Sequence, residues 1–182
     1  MKRKILRLQA YAELLENDLV ICREKGQCCI PGPYVIPEVR IRGWLYRDFL
    51  LSVYLLIFDR QKEQRSVSCR NVFDLLVQQQ AEETRSGLEA LWNSSGGFYG
   101  LYQRVEECGR RLLQSRLRRP LKMVRDKMLT HHEVTTEGGR RRPYNLSDFP
   151  GITPEAMQQL LGEAAVFINN FRRLVDPGST QP

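Results

Sequence analysis

Ile5, Leu8, Ala12, Leu15, Leu19 and Cys22 recur at alternating spacings of three and four, and that rhythm restricts what the chain can fold into. Such steps bring side chains onto one stripe of an α-helix, whereas a half-buried strand needs alternation at every second residue. The spacing predicts an amphipathic helix over residues 3 to 24. Gly26, Pro31, Gly32, Pro33 and Pro37 then interrupt it, which predicts a connection over residues 26 to 37. Pro37 and Glu38 suit the start of a second helix, carried to about Gln64 by the apolar run LLSVYLLIF from Leu50 to Phe58. That run is far shorter than the roughly 20 residues that span a bilayer. It is read as the most buried helix of a core, and no membrane contact is expected.

The same logic continues along the chain. Ser66 and Ser68 offer N-cap hydroxyls to a third helix that carries Val72, Phe73, Leu75, Leu76, Val77 and Ala81 and fades near Trp92. A fourth helix starts near Phe98 and places Leu101, Val105, Cys108, Leu112 and Leu113 on one side. Pro120 predicts a kink or a fresh start within it. Residues 133 to 150 hold Gly138, Gly139, Pro143 and Pro150 and read as a long exposed loop. Thr153, Pro154 and Glu155 form an N-terminal helix signature, and Ala156, Leu160, Leu161, Ala164, Phe167, Ile168 and Phe171 continue the last helix. No alternating run is long enough to argue for a strand. The expectation is one all-α domain over residues 1 to 176, an up-and-down bundle of about five helices with a long loop before the last, and a disordered tail over 177 to 182.

Charge is unevenly placed. The chain has a formal charge of +7, and nine bases against three acids lie between Arg104 and Lys127. Arg140, Arg141 and Arg142 follow in the expected loop. Concentrated positive charge of this kind attracts a polyanion such as RNA through its phosphates, and a solvated helix face is the alternative reading. The five cysteines, Cys22, Cys28, Cys29, Cys69 and Cys108, include no CxxC pair. They read as free thiols in a reducing cytoplasm rather than a disulfide framework or zinc site. The opening Lys2, Arg3 and Lys4 are followed by apolar residues interrupted by Arg7, Gln9, Glu13 and Glu16, so no signal peptide is readable. A Walker-type phosphate loop is not readable either, because Gly96-Gly97 lacks the following lysine and hydroxyl residue.

The chain's two histidines, His131 and His132, stand together in RDKMLTHH, which begins at Arg125. Imidazole titrates near neutrality, and beside a guanidinium it has a use on phosphodiesters. It takes the 2′-hydroxyl proton or protonates the leaving oxygen, while arginine neutralises charge on the phosphate. On an ideal helix His132 shares the face of Arg125 and His131 points about 120° away, so a joint site needs the helix to end or tighten near Thr130. Capping of a helix C-terminus by the histidines is the structural alternative. Trp44, Tyr46, Trp92, Phe98, Tyr99 and Tyr102 could stack bases or serve as core.

RDKMLTHH, on the penultimate helix of an all-α domain, resembles the signature of the higher eukaryote and prokaryote nucleotide-binding (HEPN) superfamily. The Arg-Asp-Lys form, together with the upstream LLIFDRQKEQRSVSCRNVFDLL, is similar to the branch associated with abortive phage infection. The likeness covers residues 40 to 172. It implies a metal-independent endoribonuclease, a toxin or antiphage effector without a cofactor, in which Arg125 and His131 of two subunits face each other across a homodimer cleft. Asp126 matches the polar residue after the arginine, His131 the histidine, and His132 is an accessory neighbour. Lys122, Lys127, Arg118, Arg119, Arg140, Arg141 and Arg142 would hold RNA backbone, and an antitoxin protein would restrain the enzyme. Glu133 stands where some members carry a tyrosine modified by a nucleotidyltransferase antitoxin. A noncatalytic bundle that binds nucleotide, RNA or protein is the competing reading.

Overall fold

The computed structural model describes residues 2–29, 39–60, 67–77, 81–92, 97–130, 134–137, 140–143, 149 and 151–179. Among the described residues the chain forms seven α-helices: α1 (Lys2–Cys29), α2 (Val39–Ile57), α3 (Cys69–Val77), α4 (Ala81–Leu91), α5 (Phe98–Leu113), α6 (Arg118–Val124) and α7 (Pro154–Val175). The all-α class stands, and the helix count is seven rather than five.

The helices pack where their apolar stripes meet. α1 lies against α2 and α7, α5 lies against α7 and α3, and α6 packs on α2. Leu8, Ala12, Leu15, Leu19 and Cys22 of the predicted α1 stripe are buried, as are Leu50, Val53, Leu56, Ile57 and Phe58 of the apolar run. α7 contributes Phe167, Ile168 and Phe171, each with no exposed surface, and the two phenyl rings stack at 6.3 Å. Its start follows the sequence reading: the Thr153 hydroxyl accepts from the Ala156 amide at 3.2 Å, and Pro154 occupies the first turn.

The departures from expectation have local causes. α1 runs to Cys29 instead of 24 because Gly26 serves packing rather than a break. A Cβ there would lie 3.1 Å from the Phe49 ring, so glycine lets α2 approach. α2 ends at Ile57, short of Gln64. The expected third helix is two, α3 and α4, and the Leu76 carbonyl near the end of α3 accepts a 2.6 Å bond from the Tyr102 hydroxyl. Ser68 is the cap of α3, accepting from the Asn71 amide at 3.1 Å, whereas Ser66 lies outside the described residues. The fourth helix breaks over Gln114–Leu117, before Pro120, which then sits in the first turn of α6 where a missing N–H costs nothing.

Two segments read as irregular carry structure. Val134–Glu137 (β1) and Arg140–Pro143 (β2) pair antiparallel, with Thr135 opposite Arg142 and Thr136 opposite Arg141. This hairpin corrects the expectation of a strandless loop. Three β-branched residues start it, and the two residues separating the strands in sequence are glycines, which suit a two-residue link. Pro177–Ser179 forms a 3-10 turn where a disordered tail was expected; residues 180–182 lie outside the described residues. No helix among the described residues is long and apolar enough to cross a membrane.

Candidate functional site

α6 does not end in a conventional cap. It passes directly into a π-helical turn, Arg125–Thr130, so the backbone widens where the sequence reading expected it to end or tighten. Wide turns of this kind leave the ordinary i→i+4 ladder and are frequent at functional sites. Arg125, Asp126 and Lys127 open the turn, each half-buried. The turn lies against α2.

Arg125 is held from three directions. Its guanidinium carbon lies 4.6 Å from the centroid of the Tyr54 ring, within the range of a cation–π contact. Nη1 donates to the Tyr54 hydroxyl at 3.0 Å and lies 3.5 Å from Asp59 Oδ1. Nε and Nη2 both reach Asp126 Oδ1, at 2.7 and 2.6 Å. Burial alone would lower the Arg125 pKa, but the Asp126 hydrogen bond and the charges of Tyr54, Asp126 and Asp59 carry it above its ordinary value. The guanidinium is a permanent cation.

The platform beneath it is rigid. Phe58 and Asp59 amides both return to the Tyr54 carbonyl, at 2.9 and 3.2 Å, and the Ser68 hydroxyl donates to the Asp59 carbonyl at 2.6 Å. Burial pushes the Tyr54 phenol above its ordinary pKa, Arg125 opposes that, Asp59 and Asp126 add to it, and Arg118 opposes it again. Arg118 is thus close enough to act on the same hydroxyl. It precedes Arg125 by seven residues, two turns on one helix face.

Tyr54 and Asp59 are the site residues that sequence reasoning missed. A phenol inside the apolar run LLSVYLLIF was the available signal, because a buried tyrosine hydroxyl needs a partner. Of the anticipated residues, Arg125 and Asp126 are brought into contact and Arg118 stands near them. Arg118, Arg119 and Lys122 are exposed on α6. Arg140, Arg141 and Arg142 lie on β2, with their side chains outside the described set. His131 and His132 fall outside the described residues. A separate cleft of about 820 Å³ between the α5–α6 corner and α7, lined by Arg110, Arg111 and Arg116 together with Glu107 and Glu163, contains none of the anticipated residues. Phe98 and Tyr102 are core, as the bland reading of the aromatics had it, while Tyr99 is exposed.

Chemically, the arrangement offers a preorganised cation for an anion such as a phosphate oxygen. Such an anion would exchange with part of the Asp126 contact, since both Nε and Nη2 are turned to one carboxylate oxygen. No family model, curated protein or solved structure matches the chain.

Proposed function

We propose that this chain is a metal-independent endoribonuclease of the HEPN type, acting in the cytoplasm as a toxin or antiphage effector. The observation that supports it is the posture of Arg125: a half-buried guanidinium, steadied by Tyr54, Asp59 and Asp126, on the π turn whose chain leads directly into His131. Arg125 binds the scissile phosphate and stabilises its developing charge. Asp126 aligns Arg125. His131 takes the proton of the ribose 2′-hydroxyl, the 2′-oxygen attacks phosphorus, and the 5′-oxygen leaves with a proton from a general acid, the second His131 of a homodimer. The products are a 2′,3′-cyclic phosphate and a 5′-hydroxyl. His132 stands by as an accessory. Arg118, Arg119, Lys122, Lys127, Arg140, Arg141 and Arg142 hold the RNA backbone, and an antitoxin partner silences the cleft.

The test is cleavage of varied RNAs by purified protein, read by product end-group analysis. Wild type is expected to cut and His131→Ala to bind RNA without cutting. Intact RNA throughout, with both proteins indistinguishable and neither toxic to growth, overturns the reading. One observation favours a noncatalytic RNA- or nucleotide-binding module instead: Arg125 already lies against two carboxylates, so its charge is compensated before any ligand arrives. That module predicts salt-sensitive RNA binding with no cleavage.

A further inference from the structure

α1 is apolar on two sides. Leu8, Ala12, Leu15, Leu19 and Cys22 are buried in the bundle, yet Leu6, Leu14, Val20 and Ile21 remain 62, 48, 52 and 46% exposed. Its neighbours flank the helix and leave this outer side uncovered. On the α2 flank Lys25 reaches Asp48 at 2.7 Å and the Ser52 hydroxyl at 2.9 Å. On the α7 flank the Gln9 amide donates to the Val175 carbonyl at 2.9 Å, and Arg172 lies 3.4 Å from Glu13. Between those flanks run Arg7, Ala10, Leu14, Asn17, Ile21 and Glu24, all exposed. Their steps of three and four are the spacing of a coiled-coil seam.

We propose that this seam is a self-association surface that receives α1 of a second copy, running antiparallel. The charges choose the partner and its direction. Arg7 stands at one end of the seam and Glu24 at the other, so a parallel pair would set Arg7 on Arg7 and Glu24 on Glu24. An antiparallel pair sets Arg7 against Glu24 at both ends, Ala10 against Ile21, and Leu14 against Asn17. Small meets large in one layer. In the central layers a single polar asparagine fixes register at some cost in affinity. Arg7 is held for this role, its guanidinium 5.2 Å from the Tyr11 ring centroid and its Nε donating to the Tyr11 hydroxyl.

The surface is independent of the nuclease reading. The π turn and α6 pack on α2, while the seam lies on the outer side of α1. A cleft shared by two Arg125 turns is therefore a different two-fold contact. If both form, the assembly exceeds a dimer, and losing the α1 seam alone reduces it to one.

The test is sedimentation equilibrium of the full chain over a wide concentration range, with circular dichroism to verify that α1 stays folded. Arg7→Glu and Glu24→Arg are each expected to weaken one association step by roughly tenfold or more, since both ends of the pair then oppose like charges. The double variant R7E/E24R recovers the wild-type step, and so does an equimolar mixture of the two single variants. His131→Ala leaves it unchanged, which separates this proposal from the nuclease. A wild type that stays monomeric throughout overturns it, as do single variants that associate normally, or a double variant and mixture that both fail to recover.

Discussion

Asp74 and Arg125 anchor two ion clusters that both draw on the residues just after α2, and each inverts the other. Asp74 is an acid between cations, with Arg60 at 3.3 Å and Arg70 at 3.4 Å on one carboxylate oxygen. Arg125 is a cation among Asp59, Asp126 and the Tyr54 ring. The Asp74 side chain is 8% exposed and the Arg125 side chain 26%. Among the described residues the other Asp74 oxygen, Oδ1, is buried without a hydrogen-bond partner. A buried acid in that condition serves the fold, because nothing large can reach it. A half-buried arginine with a neighbouring carboxylate to displace can exchange ligands.

The crossed pair of substitutions breaks this contrast most strongly. Arg125→Ala is expected to reduce RNA cleavage by two to three orders of magnitude, about 3 to 4 kcal/mol of lost charge stabilisation, while unfolding shifts by about 1 kcal/mol or less. Asp74→Ala should do the reverse. Urea unfolding is expected to show a loss of about 3 kcal/mol, since Arg70 is left largely buried without its acid, and cleavage per folded molecule should hold. If Asp74→Ala instead spares stability and abolishes cleavage, the two clusters do not divide as described.

Finer changes sharpen the Arg125 side. Tyr54→Phe keeps the ring beneath the guanidinium and removes the hydroxyl, for an expected loss of about 1 kcal/mol in the same unfolding measurement. Asp126→Asn removes the competing negative charge. With a non-cleavable 2′-deoxy oligonucleotide, the salt slope of binding should steepen by about 0.7, one additional single-strand phosphate contact. An unchanged slope would mean that Arg125 does not meet phosphate.

The smallest effect lies away from both clusters. The first-turn amides of α7 and the Thr153 hydroxyl hold the Glu155 carboxyl below its ordinary value of 4.5. A carboxylate lowered by folding adds stability that is fully present above the unfolded value and is lost as pH falls through the folded one. Glu155→Gln should therefore leave Tm almost unchanged at acidic pH, lower it slightly near neutrality, and flatten the profile between.

Why some of this was legible follows from where each signal sits. The stripes of α1 and α7 and the Thr153 cap depend on neighbours three and four residues away, which periodicity reads directly. Gly26 misled because its conformation is set by Phe49, a tertiary partner that no local pattern shows. The Arg125 cluster was half legible. Asp126 is adjacent in the chain, but Tyr54 is 71 residues away, and it hides inside a run whose apolar character announces only burial. The π turn was illegible, because its residues carry no propensity that separates a wide turn from an α-helical one.

The bond from the Ser68 hydroxyl to the Asp59 carbonyl has one more consequence. It pins the two ends of a surface excursion together at its neck, so the helices on either side are positioned without reference to what lies between. Closing a longer loop over a fixed neck costs only about 0.6 kcal/mol for each doubling of its length. This neck is therefore a natural place to splice in a foreign segment, a peptide tag or a small reporter, while α2 and α3 keep their places.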